Sequence, residues 1–181
     1  MENPSATTKN PITILPTIRK TFVAHSISRV LRFRPYMMQR FSVIPAVYLI
    51  LKHEEKILLL KRANTMYMDG WYSLPAGHHD GGESLTAAMC REAREEIGVE
   101  LAPANVHFAH VMHREKCNDN ERVDFYFSCV VWTGDVVNCE PEKCSELLWC
   151  DPHALPQETI PVVRQAIASW LAGAPYSEAE G

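Results

Sequence analysis

Three glutamates, Glu92, Glu95 and Glu96, follow a glycine-rich run, Gly77 to Gly82, at a spacing that invites chemistry. A helix advances about 100° per residue, so Glu92 and Glu96 fall within roughly 20° of Leu85, in line with Met89. Glu95 lies about 80° to one side. These acids therefore continue the apolar stripe instead of opposing it, as solvated charges would. Glu92 and Glu96 are also a like-charge i,i+4 pair, unfavourable when exposed and more so when partly buried. A cation between them would relieve the conflict. Arg91 can reach Glu95 but is on the wrong side to bridge Glu92 and Glu96. Hard oxygen donors without a soft ligand favour Mg2+, with Mn2+ as a substitute. For the glutamates alone, the alternative is a salt-bridged surface helix. The preceding loop shifts that balance. Gly77, Gly81 and Gly82 let backbone approach a ligand closely, and the loop feeds a helix N-terminus, which suits phosphate.

The elements that must hold this site are legible around it. Ser84 is a good N-cap and Gly98 a good terminator for a helix over residues 84–97. Residues 43–51 and 57–61 read as strands joined by a polar turn, and Tyr67 to Pro75 as a turn-rich stretch. Residues 106–113 and 123–133 read as further strands, joined by a polar loop from Arg114 to Arg122. Residues 147–150 form a short strand and 161–171 an amphipathic helix, with a frayed tail from Pro175 to Gly181. Strands and helices intermix without strict alternation, which predicts an α/β fold with helices packed on a mixed sheet.

The 181 residues suit one domain plus a tail, and no window is long and apolar enough to span a bilayer. The net charge of −4 conceals an asymmetry. Residues 1–40 carry Lys9, Arg19, Lys20, Arg29, Arg32, Arg34 and Arg40 against Glu2 alone, so the remainder is strongly acidic. An acidic domain is poorly suited to gripping DNA and well suited to divalent cations. The first 40 residues have a transit-peptide composition. A disordered extension with a short basic helix, or a stretch upstream of a start at Met37 or Met38, competes with that reading. The domain proper is expected over residues 41–172. The six cysteines form no CxxC pair and read as free thiols in a reducing, cytoplasmic setting. His107, His110 and His113 recur every three residues, but on a strand His110 would point away from the other two, so a shared zinc is not expected.

The segment from Gly77 to Val99 resembles the Nudix box: Gly77, Glu83, Arg91-Glu92, Ala93, Glu95-Glu96, Gly98 and Val99 occupy its fixed positions. Ala93 is smaller than the usual aliphatic. The wider likeness runs from about Phe41 to Leu171 and includes Trp71-Tyr-Ser-Leu-Pro-Ala-Gly77. It implies an α/β/α sandwich around a mixed sheet. It also implies hydrolysis of a nucleoside diphosphate linked to another group. Carried over, Glu92 and Glu96 would be the main metal ligands. Glu95 would be a further ligand or would orient water, and the Gly77 carbonyl would be another ligand. Glu83 would pair with Arg91 and hold the loop on the helix. Arg62 would meet phosphate, His78 the substrate, and Glu142 a late metal or water.

The proline of ADP-ribose hydrolases and the tyrosine of diadenosine polyphosphate hydrolases would both fall near Glu115, and neither is present. Asn105-Val-His-Phe-Ala and Glu140-Pro-Glu-Lys-Cys resemble the MutT-like branch. The expected substrate is thus an NTP or dNTP, cleaved to NMP and pyrophosphate. ADP-sugars, dinucleotides, capped RNA and a non-catalytic nucleotide sensor are the alternatives. The expected partner is the nucleotide, with neither DNA nor membrane, and a homodimer is the assembly considered.

Overall fold

The computed structural model describes residues 41–117 and 120–180, so the readings made for residues 1–40 lie outside the described residues. Strand β1 (Ile44–His53) turns at Glu54-Glu55 into β2 (Lys56–Arg62). Two short strands, β3 (Tyr72–Ser73) and β4 (Ala76–His78), lead to helix α1 (Leu85–Ile97). A long hairpin follows, β5 (His107–Cys117) and β6 (Asn120–Cys129). Then come β7 (Cys144–Cys150), α2 (Pro161–Leu171) and β8 (Tyr176–Glu180).

Strand β1 organises the sheet. It pairs parallel with β6 from Ile44 to Leu51 and antiparallel with β4 near its start. It meets β2 only at the hairpin end, Lys52 opposite Ile57 and His53 opposite Lys56. Beyond that point β1 and β2 diverge, and β2 takes β3 on one edge and β7 on the other. The split opens a cleft between Ala46 and Tyr48 on one wall and Leu60 and Ser73 on the other.

Side chains alternate across a strand, and β1 is buried on both faces. Val47, Leu49 and Leu51 pack with Ala88, Met89, Ala93 and Ile97 of α1. Tyr48 and Ile50 pack with Val163, Ala166 and Ile167 of α2. A continuous apolar run is what a doubly covered strand requires. The result is the expected α/β sandwich on a mixed sheet.

Three local expectations are corrected. The polar stretch from Arg114 to Arg122 is largely strand: β5 runs to Cys117 and β6 starts at Asn120. Its two arginines pair with the buried Asp124, which lies beyond the stretch on β6, and hydropathy alone does not reveal that. The supposed frayed tail forms β8, parallel to β5 from Val111 to Glu115. There His110, fully buried, lies 2.8 Å through Nδ1 from the Ala174 carbonyl and 2.7 Å through Nε2 from the Ser177 hydroxyl. Finally, Gly77 and His78 belong to β4 instead of a loop.

Candidate active site

Helix α1 delivers the acids. The Ser84 side chain accepts from the Ala87 N–H, and Gly98 ends the helix at φ 72°. This fixes the rotation that brings Glu92 and Glu96 toward β4. The Glu96 Oε2 accepts the Ala76 N–H at 2.8 Å, and Glu96 makes no ion pair among the described residues. Burial, above all, pushes its carboxyl up to about 8, with Glu92 and Glu140 acting in the same direction. Burial also raises Glu92 above the ordinary glutamate range, against the pull of Arg91.

The Glu92 carboxylate lies over Gly77, where a Cβ would stand 1.9 Å from its carboxyl carbon. Only glycine leaves that space. Arg91 ties the remaining acids together. Its Nη2 is 2.9 Å from Glu83 Oε1 and donates to the His78 carbonyl at 3.1 Å. Its Nη1 is 2.6 Å from Glu92 and 3.2 Å from Glu95. The ion pair with Arg91 holds the Glu83 carboxyl below its usual range. Thus Arg91 bridges Glu92 and Glu95 but leaves Glu96 without a cation. Glu95 is the exposed member of the three.

These residues open onto a cavity of about 700 Å³. Glu92, Glu95, Glu96, Gly77 and His78 form one end. Arg62 lines it too, donating through Nε to the Tyr67 carbonyl at 2.9 Å and lying 5.5 Å from the Tyr67 ring. From the loop before β7, Glu140 and Lys143 line the cavity, paired at 2.7 Å. Glu142, the acid singled out in the sequence, is exposed and not among the lining residues.

The reading of the sequence missed the opposite wall altogether. Arg114 and Arg122 line the cavity from β5 and β6, directly opposite one another in register. Asp124, fully buried, accepts from Arg114 at 3.2 Å and from Arg122 at 3.3 Å. The available signal was the period of two, which puts Arg122, Asp124 and Tyr126 on one face of β6.

The NUDIX domain family model matches residues 43–171. The chain belongs to the Nudix family. An ADP-ribose pyrophosphatase of Methanocaldococcus jannaschii is 34% identical over 73 residues, covering 39% of this chain and 43% of that protein. An isopentenyl-diphosphate Delta-isomerase of Leifsonia xyli is 27% identical over 121 residues, 64% of this chain and 65% of that one. The match therefore spans less than two thirds of either relative. Among solved structures, a MutT NUDIX hydrolase from Burkholderia pseudomallei superposes with a TM-score of 0.64 at 25% identity. The superposition covers 70% of this chain and 97% of that one.

Within the Nudix fold the donor set fits a hard divalent cation in kind. Glu96 offers a part-buried carboxylate with no ion pair among the described residues, and Glu92 sits in the cradle that Gly77 leaves open. As placed, however, no three Asp, Glu, His or Cys side chains among the described residues stand together as a complete metal site. The Arg91 guanidinium is the cation that Glu92 and Glu95 share. No helix among the described residues is long and apolar enough to cross a membrane.

Proposed function

We propose that this Nudix chain is a divalent-metal-dependent hydrolase of nucleoside diphosphates linked to another group, with an NTP or dNTP as substrate and NMP and pyrophosphate as products. One observation carries the reading: Glu96 is a part-buried carboxylate beside Glu92, lining a cavity of about 700 Å³, with no ion pair among the described residues. Glu92, Glu95 and Glu96, with the Gly77 carbonyl, would hold Mg2+, or Mn2+ in its place. Such an ion neutralises charge on a diphosphate and lowers the pKa of bound water.

The protein's own contribution is positioning and charge. Arg91 with Glu83 holds the loop against α1, so that His78 and Gly77 keep their place under the phosphates. Arg62, steadied by the Tyr67 carbonyl, supplies a positive contact on the far side of the cleft. The free thiols of Cys90, Cys129, Cys139, Cys144 and Cys150 accord with a reducing, cytoplasmic setting.

The test is steady-state hydrolysis with Mg2+ over NTPs, dNTPs, 8-oxo-dGDP and ADP-ribose, the last the substrate in the name of the Methanocaldococcus jannaschii relative. Glu96→Gln should lower kcat on the best substrate by about 10²- to 10⁴-fold, since it removes an ionisable donor to the ion. A wild-type protein inert on the whole panel, with Mg2+ and with Mn2+, defeats the reading.

A further inference from the structure

The cavity has a second charged wall that cleavage of a diphosphate does not by itself require. Strands β4, β1 and β6 are neighbours in the sheet, with His78 opposite Ala46 and Ala46 beside Asp124. Adjacent strands are about 4.8 Å apart, so the β6 wall stands roughly 10 Å from the strand that carries Gly77. Like charges directly opposite on paired strands are unfavourable. Arg114 and Arg122 adopt that arrangement, with Asp124 serving both guanidiniums. Both bonds exceed the 2.7–2.9 Å usual for charge-assisted pairs.

Arg122 commits only its Nε–H, to Asp124. Its terminal nitrogens have no partner among the described residues, although its side chain is only 18% exposed. A guanidinium steadied at Nε and open at its planar fork is prepared for two acceptor oxygens at once. Lysine at that position would offer a point charge instead of a fork. The phosphate end of the cavity is acidic and suits a metal-bridged diphosphate, so the guanidinium wall is available to a different part of the substrate.

Resting on the proposed hydrolysis, we infer that Arg122, positioned by Asp124 beside Arg114, is a specificity residue for an anionic group on the substrate, a phosphate or carboxylate distal to the scissile diphosphate. Three substrate pairs separate the sources of that charge: ADP against ATP, ADP-ribose against its 2′-phosphate, and UDP-glucose against UDP-glucuronate. Calorimetric binding in Mg2+ and turnover are both measured on the full chain.

For wild type, the charged member of at least one pair should be favoured about 10- to 100-fold, the scale of a hydrogen bond to a charged group. Arg122→Gln should bring that ratio to within about 3-fold, and Arg122→Lys should leave an intermediate ratio. Thermal melts establish that the variants fold, and if Gln unfolds the chain, the drop from Arg to Lys decides. Equal affinity of wild type for both members of each pair overturns the inference. So does a preference that survives Arg122→Gln, or an Arg122 effect that falls on GTP against ATP, which would assign the fork to a base edge. Discrimination in binding without any turnover would instead defeat the hydrolase reading and leave this one standing.

Discussion

At Gly77 the side chain that is missing matters more than any that is present. A methyl group there would meet the Glu92 carboxyl at 1.9 Å. The atoms in the way are the far end of a flexible side chain, so the fold can yield while the carboxylate cannot keep its place. Gly77→Ala should therefore reduce kcat about 10- to 100-fold, as misplacement of a reacting group does. It should shift the urea midpoint little. A large loss of stability with activity per folded molecule retained would contradict this. Glu96 yields a second prediction. In the unfolded chain it ionises near 4.5, and in the metal-free fold burial keeps its proton up to about 8. The folded state then holds the extra proton, so this stability is complete below about 4.5 and is lost as pH rises through about 8. Glu92, also raised, acts in the same sense. Melting temperature in EDTA should fall across that window. Excess Mg2+ should flatten the profile, and so should Glu96→Gln without metal. An EDTA profile level from about pH 5 to about pH 8 would refute it.

Helix α1 shows how local signals fix an element and why others escape notice. Its C-terminus depends on Gly98 at φ 72°, where a Cβ would also approach Val137 Cγ2 at 2.7 Å and Cys139 Sγ at 3.2 Å. Gly98→Ala should destabilise by about 1–3 kcal/mol, combining the left-handed backbone with overpacking. Ser84→Ala should cost about 1 kcal/mol at the other end. Urea denaturation distinguishes the two, and equal effects would mean that Gly98 is only a cap. Caps are written in a few adjacent residues, so the bounds of α1 were legible within one residue. The hairpin of β5 and β6 was not. Arg114 and Glu121 look like loop residues until Asp124 and His113 are seen to partner them across strands, at 3.2 Å for Arg114–Asp124 and 3.0 Å for His113–Glu121. That information lies in register, which a single segment does not contain. The same reason hid the second wall of the cavity, while the acidic wall, confined to one helix, stood out. The wheel placed Arg91 within reach of Glu95, and the structure adds Glu92, because a long guanidinium can double back onto its neighbour.

At the scale of the whole molecule, the two walls depend on elements far apart in the chain. The acidic wall comes from α1 against β4, and the basic wall from β5 and β6, with β1 paired to both β4 and β6. Strand β8 is the outer support of the basic wall. It pairs with β5 beside Arg114 and buries Ala179 against the α2 face. Its approach also supplies the Ala174 carbonyl and the Ser177 hydroxyl that satisfy His110. Removing residues 174–181 would leave that buried imidazole without either partner and expose the edge of β5. An unsatisfied buried polar group costs about 1–3 kcal/mol, and the lost apolar cover adds to it. Truncation before Ala174 should thus lower stability by at least about 3 kcal/mol, whereas Ser177→Ala, which removes one bond, should cost about 1 kcal/mol. Because β5 holds Arg114 in register with Arg122, the truncated chain should also lose substrate affinity more than kcat at temperatures where it is still folded. A truncated chain with a wild-type urea midpoint and wild-type KM would show that the last strand merely lies against the sheet and that β5 and β6 sustain the guanidinium wall alone.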